Sequence, residues 1–392
     1  MEQKRLRIGV VGCGTISQTY FPNICEHYKN LELVACADLI AEKALDAQAK
    51  YNIPVICTAE EMVERDDIDL IVNLTTPDVH YYVNKLAVTH GKHVYCEKPL
   101  AIEFDDAKEI VELAKANGVR AVAAPDTFMG AGVQTTKDIL DQGLIGKPVG
   151  FTANVTSSGH EIWHPNPGFY YEYGGSTMFD MGPYYLTALI QLFGPIKRLC
   201  CFATIGRETR NILGEWKAPT VPTHYSAILE FANGATGTMM ASLEIWDTNL
   251  PNMEIFGTEG AICATDPNLF NGNVKVYNGQ KLVDLVTSVK EPHPVPLITM
   301  IHNHKNFSED YPLSFPYDPS PMVNLRGLGV SDLAESIMTG RESRLREDVC
   351  LHVVEALNGF HKSAETGTYY EMTTTCQQAI PMCKEWGLWE VK

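Results

Sequence analysis

Arg7-Ile8-Gly9-Val10-Val11-Gly12-Cys13-Gly14-Thr15-Ile16-Ser17 runs from an apolar stretch of strand type straight into a glycine turn. A helical pattern follows, and then a second apolar run, Leu31-Glu32-Leu33-Val34-Ala35-Cys36-Ala37, ends on Asp38. In such a strand–turn–helix–strand unit, Gly12 permits the tight turn and Gly14 lets the backbone approach a pyrophosphate. The helix start offers unpaired N–H groups and a positive dipole end to the phosphates. Asp38 stands where the ribose 2′-hydroxyl of an NAD-type cofactor is held. Ser17 replaces the last glycine of the motif, so the ordered unit carries the argument, not the glycines alone. Leu39 and Ile40 follow Asp38 and bring no cation for a 2′-phosphate, which favours NAD over NADP.

Outward from this unit the alternation continues. Helical patterns over residues 41–50, 60–65, 80–89 and 105–116 separate strand-like runs at 53–57, 70–74, 91–99 and 119–124. Repeated β-α-β predicts a parallel sheet with helices on both faces and ligands at the carboxyl ends of its strands. Thr75-Thr76-Pro77 and Glu97-Lys98-Pro99 lie at such ends. Thr75, Pro77, His80, Glu97 and Lys98 therefore join Gly12, Gly14, Thr15, Ile16 and Asp38 as expected cofactor contacts.

Beyond Pro125 the rhythm changes. One helix (132–142) precedes strand-like runs at 149–157, 196–205, 224–231, 236–244, 253–256, 261–264 and 273–277, with a helix at 177–192 after the first of them. Asn233-Gly234 between two of these runs is a hairpin signal. A Pro-rich polar stretch over 291–321 reads as a loop, and helices over 329–339 and 349–366 close the chain. The fold class expected is a Rossmann dinucleotide-binding α/β domain (1–125) followed by an α+β domain (126–392) with a mostly antiparallel, open-faced sheet.

The 392 residues exceed one ordinary core. With 45% hydrophobic and 20% charged residues the composition is that of a globular chain. A net charge of −17 argues against nucleic acid, whose phosphates need clustered cations. The apolar runs fall short of the ~20 residues that span a bilayer, so no membrane partner is expected. The N-terminus leads directly into a needed strand, which reads as no signal peptide. Eleven scattered cysteines without metal-finger spacing suit reduced thiols in a cytoplasm.

Three segments carry candidate chemistry. Lys98, at a strand's carboxyl end, reads either as a surface lysine on a βα loop or as a proton-exchanging amine. The second role asks for a lowered pKa. In Gly174-Gly175-Ser176-Thr177-Met178-Phe179-Asp180-Met181-Gly182-Pro183-Tyr184, Asp180 and Tyr184 are four apart and share a helix face. Asp180 is by default a dipole-stabilising residue of the first turn, and with Tyr184 it also suits orienting a hydroxyl. Between these lie His160, Trp163 and His164, set among tyrosines and prolines. They suit stacking on a sugar and reading its hydroxyls, or an ordinary folded loop. The spacing of His160 and His164 would suit a metal only on a helix, which Pro165 and Pro167 disfavour, and no metal is expected. His302 and His304 are weaker still.

The glycine turn, Glu97-Lys98-Pro99 and the Gly-Gly…Asp segment occur in the order and spacing of the Gfo/Idh/MocA oxidoreductase family, which the whole chain resembles, including Arg326-Gly327-Leu328-Gly329. The resemblance implies that Lys98 is catalytic, that Asp180 is its partner, and that an open sheet binds substrate and builds homo-oligomers (dimer or tetramer). One departure stands out. The family commonly places a histidine acid–base four residues after the Asp, and here that position is Tyr184. The segment Pro125-Asp126-Thr127 also looks altered. The reading is an NAD-dependent oxidoreductase acting on a secondary hydroxyl (C3 in some relatives) of a sugar, glycoside or cyclic polyol. Lys98 exchanges the proton and Asp180 orients it; Tyr184 is the third catalytic residue, either taking the acid–base role with help from Lys98 or positioning the sugar, and His160, Trp163 and His164 line the substrate. Two alternatives stand beside it: a redox glycosidase that oxidises its sugar transiently and eliminates, and a non-catalytic NAD- or sugar-sensing protein.

Overall fold

The computed structural model describes residues 5–288, 308–318 and 323–391. Its first part alternates β1 (Leu6–Val11), α1 (Ser17–Glu26), β2 (Leu31–Ala37), α2 (Ala41–Tyr51), β3 (Val55–Ile56), α3 (Ala59–Val63), β4 (Leu70–Asn73), α4 (Pro77–Thr89), β5 (His93–Cys96), α5 (Phe104–Ala116) and β6 (Ala121–Ala123). The six strands form one parallel sheet in the order β3-β2-β1-β4-β5-β6. β4 is buried along its whole length and β1 nearly so, as expected of parallel strands covered on both faces. The order reverses between β1 and β4, so the ends of these two strands open a crevice, and the glycine turn lies at its edge.

A second, nine-stranded sheet follows, with strands β7 (Pro148–Thr156), β8 (Ile196–Thr204), β11 (His224–Phe231), β12 (Thr236–Ser242), β13 (Met253–Gly257), β14 (Gly260–Ala264), β15 (Val274–Asn278), β16 (Ser308–Tyr311) and β17 (Tyr370–Glu371). All neighbouring pairs are antiparallel except β12 with β7. The Asn-Gly hairpin joins β11 to β12 in the expected place. A small hairpin, β9 (Arg210–Ile212) with β10 (Glu215–Lys217), stands apart from the large sheet. The helices are α6 (Ala131–Asp141), α7 (Thr177–Phe193), α8 (Gly279–Ser288), α9 (Leu328–Thr339) and α10 (Glu347–Thr366).

Most of the expected 291–321 loop, with His302 and His304, lies outside the described residues. Its portion at 308–311 is not loop but strand β16, paired with β15. Hairpin β9–β10 and helix α8 carried no sequence reading. Two apolar cores result: one packs helices on the parallel sheet, and the other packs α7 and α10 on the large sheet. α7 is buried along nearly all its length, which fits its apolar sequence. Its N-terminal turn meets the carboxyl end of β5, and that meeting builds the site.

Candidate active site

At the glycine turn, Gly12 has φ +102°, and a Cβ there would sit 2.6 Å from the Leu74 carbonyl. Only glycine fits that left-handed position so close to backbone. Around Gly14 the opposite holds: a Cβ would meet nothing within 4 Å, so this face of the turn is open. No side chain caps the start of α1, which leaves the first-turn donors for a phosphate. One Asp38 oxygen accepts from Cys13 N–H and the other from Ile40 N–H, both at 2.8 Å. These bonds fix the carboxylate beside the turn. An open cradle and an uncapped helix start that donate to phosphate, with a fixed acid that accepts from a hydroxyl, are the groups an NAD pyrophosphate and ribose require. Thr15 is exposed and Ile16 half-buried on the same turn.

The remaining expected cofactor contacts divide. Thr75 donates from both N–H and Oγ1 to Asn73 Oδ1 and stays near the surface at the end of β4. Pro77 opens α4. His80 is fully buried between the carbonyls of Pro99 (2.7 Å) and Thr75 (3.1 Å). Burial holds its pKa below the ordinary imidazole value. It ties two turns of the crevice together and presents no free nitrogen. Glu97 likewise points inward, accepting from Tyr20 Oη (2.7 Å) and from Lys98 N–H (3.1 Å).

Lys98 is the point of convergence. Its Nζ donates to Asp180 Oδ1 at 2.5 Å and to the Asp180 backbone carbonyl at 2.7 Å, and it sits 5.2 Å from the Tyr184 ring centre. Pro183 removes the N–H that a helix would offer the Phe179 carbonyl, and in the same turn the next carbonyl is given to Lys98. Burial disfavours the ammonium, but Asp180, Tyr184 and Glu97 outweigh it and hold the amine above the ordinary lysine range. Proton exchange asks for a pKa lowered by partial burial and the cofactor's positive ring; burial by itself, set against Asp180, Tyr184 and Glu97, does not supply it. Burial would raise Asp180, yet Lys98 and His160 hold it well below the carboxylate range.

His160 Nε2 lies 3.2 Å from the other Asp180 oxygen, Oδ2. The imidazole is buried, with the rings of Tyr170 at 4.1 Å and Trp163 at 5.2 Å. Residues 160–162 form a single 3-10 turn, so His160 and His164 do not share a longer helix face. His164 Nδ1 accepts from Asn166 N–H instead. Trp163 is 63% exposed, at the rim. Among the described residues, no group of three or more His, Cys, Asp or Glu could hold a metal ion.

Two site residues carried no role in the sequence reading. Arg326 Nη2 donates to the Tyr184 hydroxyl (3.3 Å) and to Asn268 Oδ1 (3.0 Å). Asp126, fully buried, accepts from Gly327 N–H and Gly329 N–H at 3.0 Å each, which pins the start of α9 and the loop bearing Arg326. Burial pushes Asp126 up to about 6 against the pull of these N–H groups and Arg326. Arg326-Gly327-Leu328-Gly329 and Pro125-Asp126-Thr127 were both visible in the sequence. The signal lacking was their 200-residue separation, which only the fold closes.

Residues 6–124 match a family model described as an oxidoreductase family with an NAD-binding Rossmann fold. Residues 133–263 match the model of the C-terminal domain of the GFO/IDH/MocA group. An inositol 2-dehydrogenase of Burkholderia cenocepacia (strain HI2424) is 32% identical over 149 residues, 37% of this chain and 44% of that protein. The alignment thus spans under half the length of the curated relative. An NAD-binding oxidoreductase from Klebsiella pneumoniae superposes with TM-score 0.76 at 22% identity, covering 94% of this chain and 99% of that one. A levoglucosan dehydrogenase crystallised with NADH and levoglucosan also gives TM-score 0.76, at 16% identity, covering 95% of this chain and all of the other. At such identities these two structures show a shared fold. No helix of the described residues is long and apolar enough to cross a membrane.

Proposed function

The chain belongs to the Gfo/Idh/MocA oxidoreductase family, and from that premise we propose that it is an NAD-dependent enzyme that removes hydride from a secondary hydroxyl carbon of a sugar, glycoside or cyclic polyol. The observation that carries this reading is the largely buried Lys98–Asp180 pair at the carboxyl end of β5, in the sheet whose β1 ends in the glycine turn. Sugars and cyclic polyols also appear in the names of the similar proteins, as inositol and levoglucosan.

When bound, NAD supplies the hydride acceptor. The chain's residues handle the rest. Gly12, Gly14, the start of α1 and Asp38 hold the cofactor. Lys98, as ammonium, donates to the substrate oxygen and orients the carbinol. Oxidation then requires the ammonium, whose side chain keeps 14% exposure, to release a proton to water, so that the neutral amine can take the hydroxyl proton as the hydride leaves for NAD and the carbonyl forms. A positive charge brought near Lys98 favours that release. Asp180 keeps the amine aimed and balances its charge. Tyr184 and Arg326 offer a hydroxyl and a guanidinium to the remaining hydroxyls, and Trp163 offers an aromatic face at the entrance.

The test is near-ultraviolet absorbance with purified protein, NAD and a panel of sugars, polyols and glycosides, with free aglycone assayed in the same wells. Accumulating NADH without aglycone supports the dehydrogenase. Aglycone released only when NAD is present, without net NADH, replaces it with a redox glycosidase. Silence in both channels, with NAD bound, replaces it with a sensor.

A further inference from the structure

Asp180 divides its two oxygens between two bases, Lys98 on Oδ1 and His160 on Oδ2. The histidine comes from 20 residues upstream of the carboxylate. Tyr184, four residues downstream on the same helix face, turns its hydroxyl to Arg326 instead. The imidazole is 94% buried, and its other nitrogen, Nδ1, has no hydrogen-bond partner. A buried ring that spends one nitrogen on a carboxylate and leaves the other unpaired is costly as plain structure.

The turn holding His160 is built around buried charge. His160 N–H donates to the Tyr171 hydroxyl at 3.1 Å, and that hydroxyl donates to Glu161. Burial and Glu161 push Tyr171 up to about 12, so it keeps its proton. Glu161 pairs with Arg210 at 2.8 Å, and Arg210, 1% exposed, also holds the Leu243 carbonyl and Glu244. Gly159, at φ +117°, completes the packing: a Cβ there would lie 2.6 Å from Arg210 Nη1. Hairpin β9–β10, outside the large sheet, thus reaches back through Arg210 to fix one imidazole against Asp180.

We propose that His160 is a positioning residue whose charge, acting through Asp180, sets how readily Lys98 gives up its proton. It supplies from the 160–162 turn the imidazole that position 184 lacks. This rests on the reading of Lys98 as the proton-transfer residue. Neutral His160 donates Nε2–H to Oδ2 and leaves the carboxylate's charge to Lys98. Once protonated, it places a second cation across the same carboxylate and weakens the hold on the ammonium. Two cations held on the two oxygens of one carboxylate repel each other, on the order of a tenfold change in Lys98 acidity. The imidazole faces Asp180, with Lys98 across the carboxylate, and Tyr170, whose ring also meets His164. Glu161, Tyr171, Arg207 and Arg210 lie behind the turn.

Competitive acetylation of the Lys98 amine, followed by mass spectrometry across pH, tests this without requiring turnover. For an isolated amine, log reactivity rises with unit slope below its pKa. The proposal expects a step in that line in the wild-type chain, of about tenfold, where the imidazole loses its proton. In His160→Gln, which keeps an N–H donor but cannot titrate, the step vanishes and the line is straight. His160→Asn serves as the second variant. A straight wild-type line, or a step that survives in both variants and so belongs to Asp126, overturns the proposal. If the labelling behaves as expected and no substrate yields NADH, the charge coupling of His160 to Lys98 stands and the oxidoreductase reading falls.

Discussion

Asp126 is fully buried and Asp180 nearly so, and their acidities move in opposite directions. Asp180 faces an ammonium and an imidazole and is held well below the ordinary carboxylate range. Asp126 faces two backbone N–H groups, with Arg326 acting only at longer range, and burial pushes it up to about 6. Burial is the largest influence on each, so the difference lies in the partners. A direct cation overturns desolvation, whereas neutral donors only moderate it. The first arrangement keeps a permanent charge beside the reacting groups. The second is an anchor whose charge depends on pH.

The comparison breaks most visibly if Asp180 is removed. Asp180→Ala strands a buried ammonium and an imidazole and is expected to cost about 3–5 kcal/mol, read from urea unfolding. A loss below about 1 kcal/mol would mean that the pair is solvated in solution.

The next effect is a pH dependence. Asp126 titrates higher in the folded chain than in the unfolded one. Its stabilising contribution is therefore full below about pH 4 and is lost as pH rises to about 6. The rise from the ordinary 3.8 to about 6 corresponds to roughly 3 kcal/mol. Asp180, titrating lower when folded, contributes above about pH 4 and loses its share as pH falls further. Urea midpoints should decline between about pH 4 and 6, and Asp126→Asn should flatten that limb while leaving the acid limb of Asp180 in place.

Smaller effects sharpen the contrast at the rim. Arg326→Met removes the donor to Tyr184 and Asn268 and is expected to lower kcat/KM by about tenfold, near 1.4 kcal/mol, with NAD affinity unchanged. Trp163→Ala, at an exposed ring, should raise KM a few-fold and move stability by less than about 0.5 kcal/mol.

These differences also mark what the sequence could disclose. The parallel sheet was legible because each of its devices is local: an apolar run, a glycine turn, a helix period, an acid at a strand end. Lys98 and Asp180 were legible as motifs, and the fold joins them at 2.5 Å. The charge state of Lys98 was not, because it depends on Asp180, 82 residues away. Arg326 and Asp126 lay in segments read without a role, since their meeting spans 200 residues. Hairpin β9–β10 has strands of three residues, too short to show periodicity. The role of His160 depends on which side chain a 3-10 turn aims at α7, and no spacing rule reports that.

The most direct measurement compares wild type and Lys98→Met for NADH formation from NAD with cyclic polyols and sugars, with NAD affinity measured in parallel. The account predicts turnover by the wild type on at least one of them. It predicts a fall of about a thousandfold in Lys98→Met, with NAD binding intact. A variant that turns over as fast as the wild type would contradict it, because the buried amine would then hold the fold together and move no proton.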